Sequence, residues 1–396
     1  MSQKPLSLSG DLRRLRDEGY DLEIRSGFLL VKDVPHVNSR REVKRGTFIT
    51  KLILAGDVTA PPDDHVGYFE GEYPCRQDGI EIEQIRNQSS RRAIAEGVWI
   101  DHTFSARPQP TNKYEDYYAK VTTYVAILSG PAQTIDPNVT AKTFPVIGPD
   151  KDDQNAVFKY IDTASSRAEI SSVTEKLALV KKIAIIGLGG TGAYVLDLVA
   201  KTPVSEIHLF DGDAFLQHNA FRSPGAASID ELKAQPPKVA YLAEIYSKMR
   251  NGIVPHPAYI DAENIDELRD MNFVFLCLEG PAKQLIVERL EALGISFIDV
   301  GMGVYLSEGS LGGILRVTTS TPTQRDHVRS RVSFSGNAER NEYDANIQIA
   351  DLNALNAAMA VIKWKKLFGF YQDLDHERSC TYTIGGNMLL NQDNQP

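Results

Sequence analysis

The sequence predicts an α/β protein: a doubly wound, mainly parallel sheet with an additional α+β domain at its N-terminal side. Three observations carry this. From about residue 158, short apolar runs alternate strictly with amphipathic stretches of helical period. One of those runs, KKIAIIGLGGTG at 181–192, ends in four glycines within six residues. That is how a buried strand turns into a nucleotide-binding helix in a Rossmann-like sheet. The first 150 residues lack this alternation, and the Pro-, Asp-, Asn- and Gly-rich stretch at about 132–157 reads as a linker or long surface loop. The expected domains are therefore 1–150 and 158–390.

In the first domain, SLSGDLRRLRDEGYDL (7–22) reads as a short helix, with Ser9 or Asp11 as N-cap and Leu12 and Leu15 inward. YDLEIRSGFLLVKD (20–33) and GTFITKLIL (46–54) are strand-like. HVGYFEGEYP (65–74) and GIEIEQI (79–85), divided by a turn, predict a hairpin. YYAKVTTYVAILSGPAQ (117–133) predicts a helix. The aromatics of this domain are expected to form its own core.

The second domain begins with SSVTEKLALVK (171–181), a short amphipathic helix. Strands are expected at 182–189, 205–213, 252–260, 272–280 and 295–304, and helices at 192–203, 237–251, 262–271 and 281–294. Such βαβ succession builds a parallel sheet with right-handed crossovers.

The bulk properties exclude several functions. The chain of 396 residues has a formal net charge of −9, against a general nucleic-acid surface, which needs a basic face. No apolar run approaches the ~18 residues of a membrane span, and the first twenty residues lack the apolar core of a signal peptide. The three cysteines, Cys75, Cys277 and Cys380, form no CxxC pair. They suit a reducing, cytoplasmic compartment and offer no four-cysteine zinc site.

Gly187, Gly189 and Gly192 have GxGxxG spacing, with Gly190 as a further glycine between them. Gly187 permits the tight turn, Gly189 lets a phosphate approach the backbone, and Gly192 lets helix and strand pack closely. The following helix N-terminus suits an anion. Asp211, 24 residues beyond Gly187, closes the next strand and can accept ribose hydroxyls. That leaves NAD and ATP both open. The loop FDGDAFLQHNAFRSPG (210–225) then places Asp213, Asn219 and Arg222 at the carboxyl end of the sheet, and Lys238 opens the next helix. A hydride-transfer site needs an arginine there only for a 2′-phosphate, whereas a triphosphate needs cations. Simpler roles also stand: a surface ion pair for Arg222, an ordinary helix-start residue for Lys238.

The combination of GxGGxG, DxD, NxxR and a helix-opening lysine resembles the adenylation domain of the ThiF/MoeB/HesA superfamily, which includes the ubiquitin-activating enzymes. The resemblance spans about 160–386 and extends to a β-meander at 301–317 and a long helix at 345–371 after a crossover loop (318–346). It implies that ATP and Mg²⁺ act with the C-terminal carboxylate of a ubiquitin-like or sulfur-carrier protein with a Gly tail, giving an acyl-adenylate and pyrophosphate. A conjugating enzyme is a further partner it suggests. By position, Asp211 would hold the ribose, and Asn219, Arg222 and Lys238 the phosphates. Glu279 stands where the family usually has a magnesium-binding aspartate, a departure by one methylene. Arg167 matches the arginine that enters the partner subunit's site in a homodimer; an exposed helix arginine is the simpler reading. The first 150 residues match no end-domain of the family.

Relatives with covalent chemistry carry a crossover cysteine, and this crossover has none. Cys277 reads as core; Cys380, near His376, is the better thiol candidate. In the long helix, Ile349, Leu352, Leu355, Met359 and Ile362 form one apolar face, expected against the sheet, at a homodimer interface, or both. Competing readings of the whole chain are an NAD(P)-dependent oxidoreductase and a non-catalytic nucleotide-binding scaffold.

Overall fold

A computed structural model describes residues 4–149, 155–334 and 347–391. The chain divides into two compact units, Met1–Gln154 with Tyr160–Glu169, and Asn155–Lys159 with Ile170–Pro396.

In the first unit, helix α1 (Gly10–Asp17) buries Leu12 and Leu15. Neither expected cap bonds as one. Ser9 Oγ accepts from Thr59 N at 2.9 Å, and Asp11 accepts from Thr59 Oγ1 and Tyr117 N, tying the helix to distant segments. Strands β1 (Leu22–Arg25), β2 (Phe28–Val37), β3 (Val43–Lys51), β4 (Val66–Glu70), β5 (Arg86–Ala95) and β6 (Val98–Ser105) form an antiparallel sheet in the order β1-β2-β3-β4-β6-β5. Helix α2 (Tyr117–Ile135) is N-capped by Asp116, whose carboxylate accepts from Ala119 N at 2.7 Å. Its Tyr124 stacks on Phe48 in the core.

The hairpin expected at 65–85 is corrected. Its two arms meet only at the single bridge between Cys75 and Glu81, and the second arm ends in a 3-10 turn, Glu83–Ile85. The partner of β4 is β6, whose Val98, Ile100 and Phe104 point inward. Arginine-rich β5 forms the outer edge, where charge discourages further strand pairing.

The second unit carries β7 (Lys182–Ile186), α3 (Gly190–Ala200), β8 (Glu206–Phe210), α4 (Lys238–Ser247), β9 (Ile253–His256), β10 (Phe273–Leu276), α5 (Ala282–Leu293), β11 (Ser296–Ser307), β12 (Ser310–Ser320), α6 (Ala350–Leu367), β13 (Ser379–Thr383) and β14 (Met388–Asn391). The sheet order is β9-β8-β7-β10-β11-β12-β13-β14. The first five are parallel and the last three antiparallel. The Rossmann-like expectation is met. Ile183 and Ile185 enter the core layer beneath α3, α4 and α6, while Ala184 and Ile186 enter the layer beneath α5. Burial on both faces is why these strands read as continuous apolar runs.

Two expected helices are shorter than their patterns. The stretch at 171–181 is one helical turn, Ser171–Thr174, then a 3-10 segment, Glu175–Leu179. The stretch at 262–271 is 3-10, Ile265–Asp270, preceded by Asp261, whose carboxylate takes the N–H groups of Glu263 and Asn264.

The expected inward face of α6 is also corrected. Its buried residues include Asn353, Asn356, Ala357, Ala360 and Trp364, whereas Leu355 and Ile362 are 38% and 45% exposed. Small alanines at 357 and 360 let the helix approach closely, and they share the inward face with Asn353 and Trp364. Part of the expected crossover, 335–346, lies outside the described residues. Among the described residues no helix is long and apolar enough to cross a membrane.

Candidate functional site

In the second unit the chain runs from β7 through β8 to β9 on one side, then crosses to β10 and β11 on the other. Ligands bind at such a switch point, beyond the carboxyl ends of the strands. A cavity of ≈ 100 Å³ lies there, lined by Gly189 and Thr191 of the glycine turn, Cys277 and Glu279 after β10, Gly301 of β11 and Asn356 of α6, among others.

The glycine turn follows its sequence logic. Gly187 has φ +86, which favours glycine, and its N–H donates to Phe210 O at 2.9 Å. A Cβ at Gly192 would overlap the Gly187 carbonyl, so α3 could not start so close to the strand. Gly189, the N-cap of α3, faces open space: a Cβ there would meet nothing nearer than Gln348 Oε1 at 3.9 Å.

Asp211 is buried at the end of β8. Its Oδ2 accepts from Leu188 N at 2.7 Å and its Oδ1 from Asp213 N at 2.9 Å. A carboxylate has about four acceptor positions, so both oxygens can still take a ribose hydroxyl. Lys238 is buried beneath the two acids, 3.5 Å from Asp211 and 2.5 Å from Asp213. Tyr259 also donates to Asp213. The Lys238 and Tyr259 bonds hold the Asp213 carboxyl below the usual range, and the bond to Asp213 pushes the Tyr259 phenol up to about 12.

Asn219 is 1% exposed; its Oδ1 accepts from Leu216 N, leaving Nδ2 without a partner among the described residues. Arg222 Nε is likewise buried and unpartnered. Burial draws the guanidinium below its ordinary value, against the pull of Asp213. Two buried donors left unsatisfied on one short loop are costly unless a ligand completes them. An anion such as a phosphate has the acceptors to do so.

Glu279 is exposed on the loop after β10 and is the carboxylate among the described lining residues. No group of three or more potential metal ligands occurs among the described residues. A Mg²⁺ held largely by substrate phosphates needs only one or two protein carboxylates, so Glu279 fits that mode and not an all-protein cage. Arg167 ends the helix Thr163–Arg167, exposed, within the first unit.

Cys380 is buried in the core of β13, correcting its reading as the better thiol candidate, and His376 pairs instead with Asp373. Cys277 lines the cavity, yet burial, aided by the Asp299 charge, pushes its thiol far up. Burial also raises Cys75. Raised thiols are poor nucleophiles at neutral pH.

Sequence reasoning missed a buried charge cluster beside the cavity. Lys283 of α5 stands 2.7 Å from Asp299 of β11, and Arg316 of β12 is 3.7 Å away. Burial pushes the Asp299 carboxyl up, and Lys283 and Arg316 oppose that. The available signal was a lone acid inside the apolar strand ISFIDVG. Asn353 and Tyr259 carried no comparable signal.

Fold and site together define a nucleotide-binding protein of the doubly wound class. Residues 163–373, more than half of the chain, match the ThiF family. The chain belongs to the ThiF family, a family of ATP-binding adenylyltransferases. Residues 10–163 match a domain of unknown function, DUF6791. No functionally curated protein matches the chain. Among solved structures, Escherichia coli MccB with MccA-N7isoASN is 17% identical, covering 58% of this chain and 69% of that one at TM-score 0.46. PaaA is 17% identical over 56% and 75% at TM-score 0.39. E. coli MccB with ATP is 18% identical over 56% and 65% at TM-score 0.42.

Proposed function

We propose that the chain adenylates the C-terminal carboxylate of a ubiquitin-like or sulfur-carrier protein with a Gly tail. The supporting observation is the pair of unpartnered buried donors, Asn219 Nδ2 and Arg222 Nε, at the switch point near the glycine helix. The carrier carboxylate attacks the α-phosphorus of ATP; a new acyl–oxygen–phosphorus bond forms and the bond to pyrophosphate breaks. Negative charge grows on the phosphoryl oxygens and the leaving group, where positioned donors stabilise it.

In this reading the N-terminus of α3 and the Gly187, Gly189, Gly190 and Gly192 turn floor the nucleotide site. Asp211 takes the ribose, and Asn219 and Arg222 take phosphate oxygens. Lys238 joins them by exchanging Asp213, which is half-exposed. Glu279 would hold Mg²⁺, which supplies charge neutralisation at the phosphates. Arg167 would act across a homodimer; the exposed Leu355 and Ile362 on α6 suit such an association. The setting is cytoplasmic, with a conjugating enzyme as a downstream partner. In this reading the acyl-adenylate is the product, and no thioester step is assigned to Cys75, Cys277 or Cys380.

ATP–pyrophosphate exchange with a Gly-tailed carrier tests this. Arg222→Ala should slow exchange about 10²–10³-fold, the cost of removing one transition-state donor. Exchange at the wild-type rate would remove the site as assigned. Nucleotide binding with no exchange for any carrier would favour a scaffold.

A further inference from the structure

We propose that Asn353 is a positioning residue: it fastens the Arg222 loop to the glycine helix, and Gly190 is glycine in order to admit it. This rests on the adenylation reading for its effect on phosphate binding, but not for its geometry.

Asn353 sits near the start of α6, 0% exposed, with its own N–H bonded to Ile349 O. Its Oδ1 accepts from Thr191 Oγ1 on α3 at 3.0 Å. Its Nδ2 donates to Arg222 O at 3.3 Å. One carboxamide therefore spans the glycine helix and the Arg222 loop. Arg222 N in turn donates to Asn219 O at 3.1 Å, so both orphan donors ride on the tethered loop.

Gly190 explains the doubled glycine of GLGG. It is not among the positive-φ glycines, so its backbone does not demand glycine. Space does: a Cβ at Gly190 would overlap the Asn353 carboxamide, and the three nearest atoms to it all belong to Asn353. Gly190 is thus a packing partner of α6 as well as a lining residue of the cavity, while Gly189 has no such close neighbour.

Asn353 also lines the cavity, but both of its side-chain bonds are spent on Thr191 and Arg222 O, so the role assigned to it runs through Arg222. A double-mutant cycle on the full chain separates this from general destabilisation, with binding of a non-hydrolysable ATP analogue read by calorimetry. Asn353→Ala should weaken binding about tenfold and Arg222→Ala about thirtyfold, yet the double variant should bind within about twofold of Arg222→Ala. The Asn353→Asp variant keeps the acceptor for Thr191 and loses the donor to Arg222 O, and should bind as weakly as Asn353→Ala. Additive losses in the cycle would overturn the positioning role alone. Wild-type protein unable to bind the analogue would overturn the adenylation reading and this role with it. The packing claim is read by melting: Gly190→Ala should lower the melting temperature, and adding Asn353→Ala should raise it again as the new methyl enters the vacated space. A double variant that melts below Gly190→Ala would overturn it.

Discussion

One wall of the pocket comes from a continuous stretch, Gly189, Gly190 and Thr191, while the opposite wall is assembled from 277–279, 300–302 and 348–356. The segment that carries the first wall holds a positive-φ glycine, a helix N-terminus and, on the loop after β8, the buried Asn219 Nδ2 and Arg222 Nε, without partners among the described residues. Behind the second wall, Lys283 and Arg316 stand 2.7 and 3.7 Å from Asp299, residues brought together from three separate elements. Residues that share one stretch keep a fixed local spacing, and so form a motif. Groups that satisfy each other need only meet in space.

Three changes beyond those already described would break or sharpen this contrast. The largest effect should come from behind the opposite wall. Lys283→Ala strands Asp299, 0% exposed, without its nearest cation, and should cost about 3–5 kcal/mol in denaturant unfolding. A loss near zero would mean that the pair is not a buried structural bridge. Beside the glycine wall, Gly192→Ala pushes a methyl into the Gly187 carbonyl and against Cys277 Cβ at 3.1 Å. Overpacking of this kind should cost about 1–3 kcal/mol by the same measurement. Unchanged stability would show that strand and helix need not approach so closely.

The smallest effect concerns the anchoring of α6. Glu377 is held by Lys366 at 2.9 Å and Lys363 at 3.1 Å. Burial raises its carboxyl, but the two lysines outweigh this and bring it from 4.5 to about 2. A depressed carboxylate stabilises the fold above its unfolded value, and that contribution is lost as pH falls. Stability should therefore decline between pH 4.5 and about 2. Glu377→Gln should flatten that slope and remove about 1–2 kcal/mol at neutral pH, after discounting for solvent screening. Parallel acid-unfolding curves for the two proteins would disprove the assignment.

How much was legible follows the same division. The central strands β7 and β10 were readable because burial on both faces forces unbroken apolar runs. Gly187, Asp211, Asn219 and Arg222 were readable because they lie within 36 residues of one another on consecutive elements. The β5–β6 hairpin was not, since an edge strand rich in Arg, Asn, Gln and Ser shows no apolar alternation. The inward face of α6 misled because its larger side chains advertise hydrophobicity, whereas close packing on α3 selects Asn353, Ala357 and Ala360.

By itself, the sequence determined the doubly wound sheet, the glycine turn and the donor loop after the second strand, because each depends on local backbone preference and short-range spacing. Only the tertiary structure decided that Asn353 fills the space left by Gly190, that Lys283 neutralises Asp299, and that Lys238 is held by Asp213. Those pairings join residues 163, 16 and 25 positions apart. Such contacts are set by which surfaces meet when the layers pack, and no local preference encodes them.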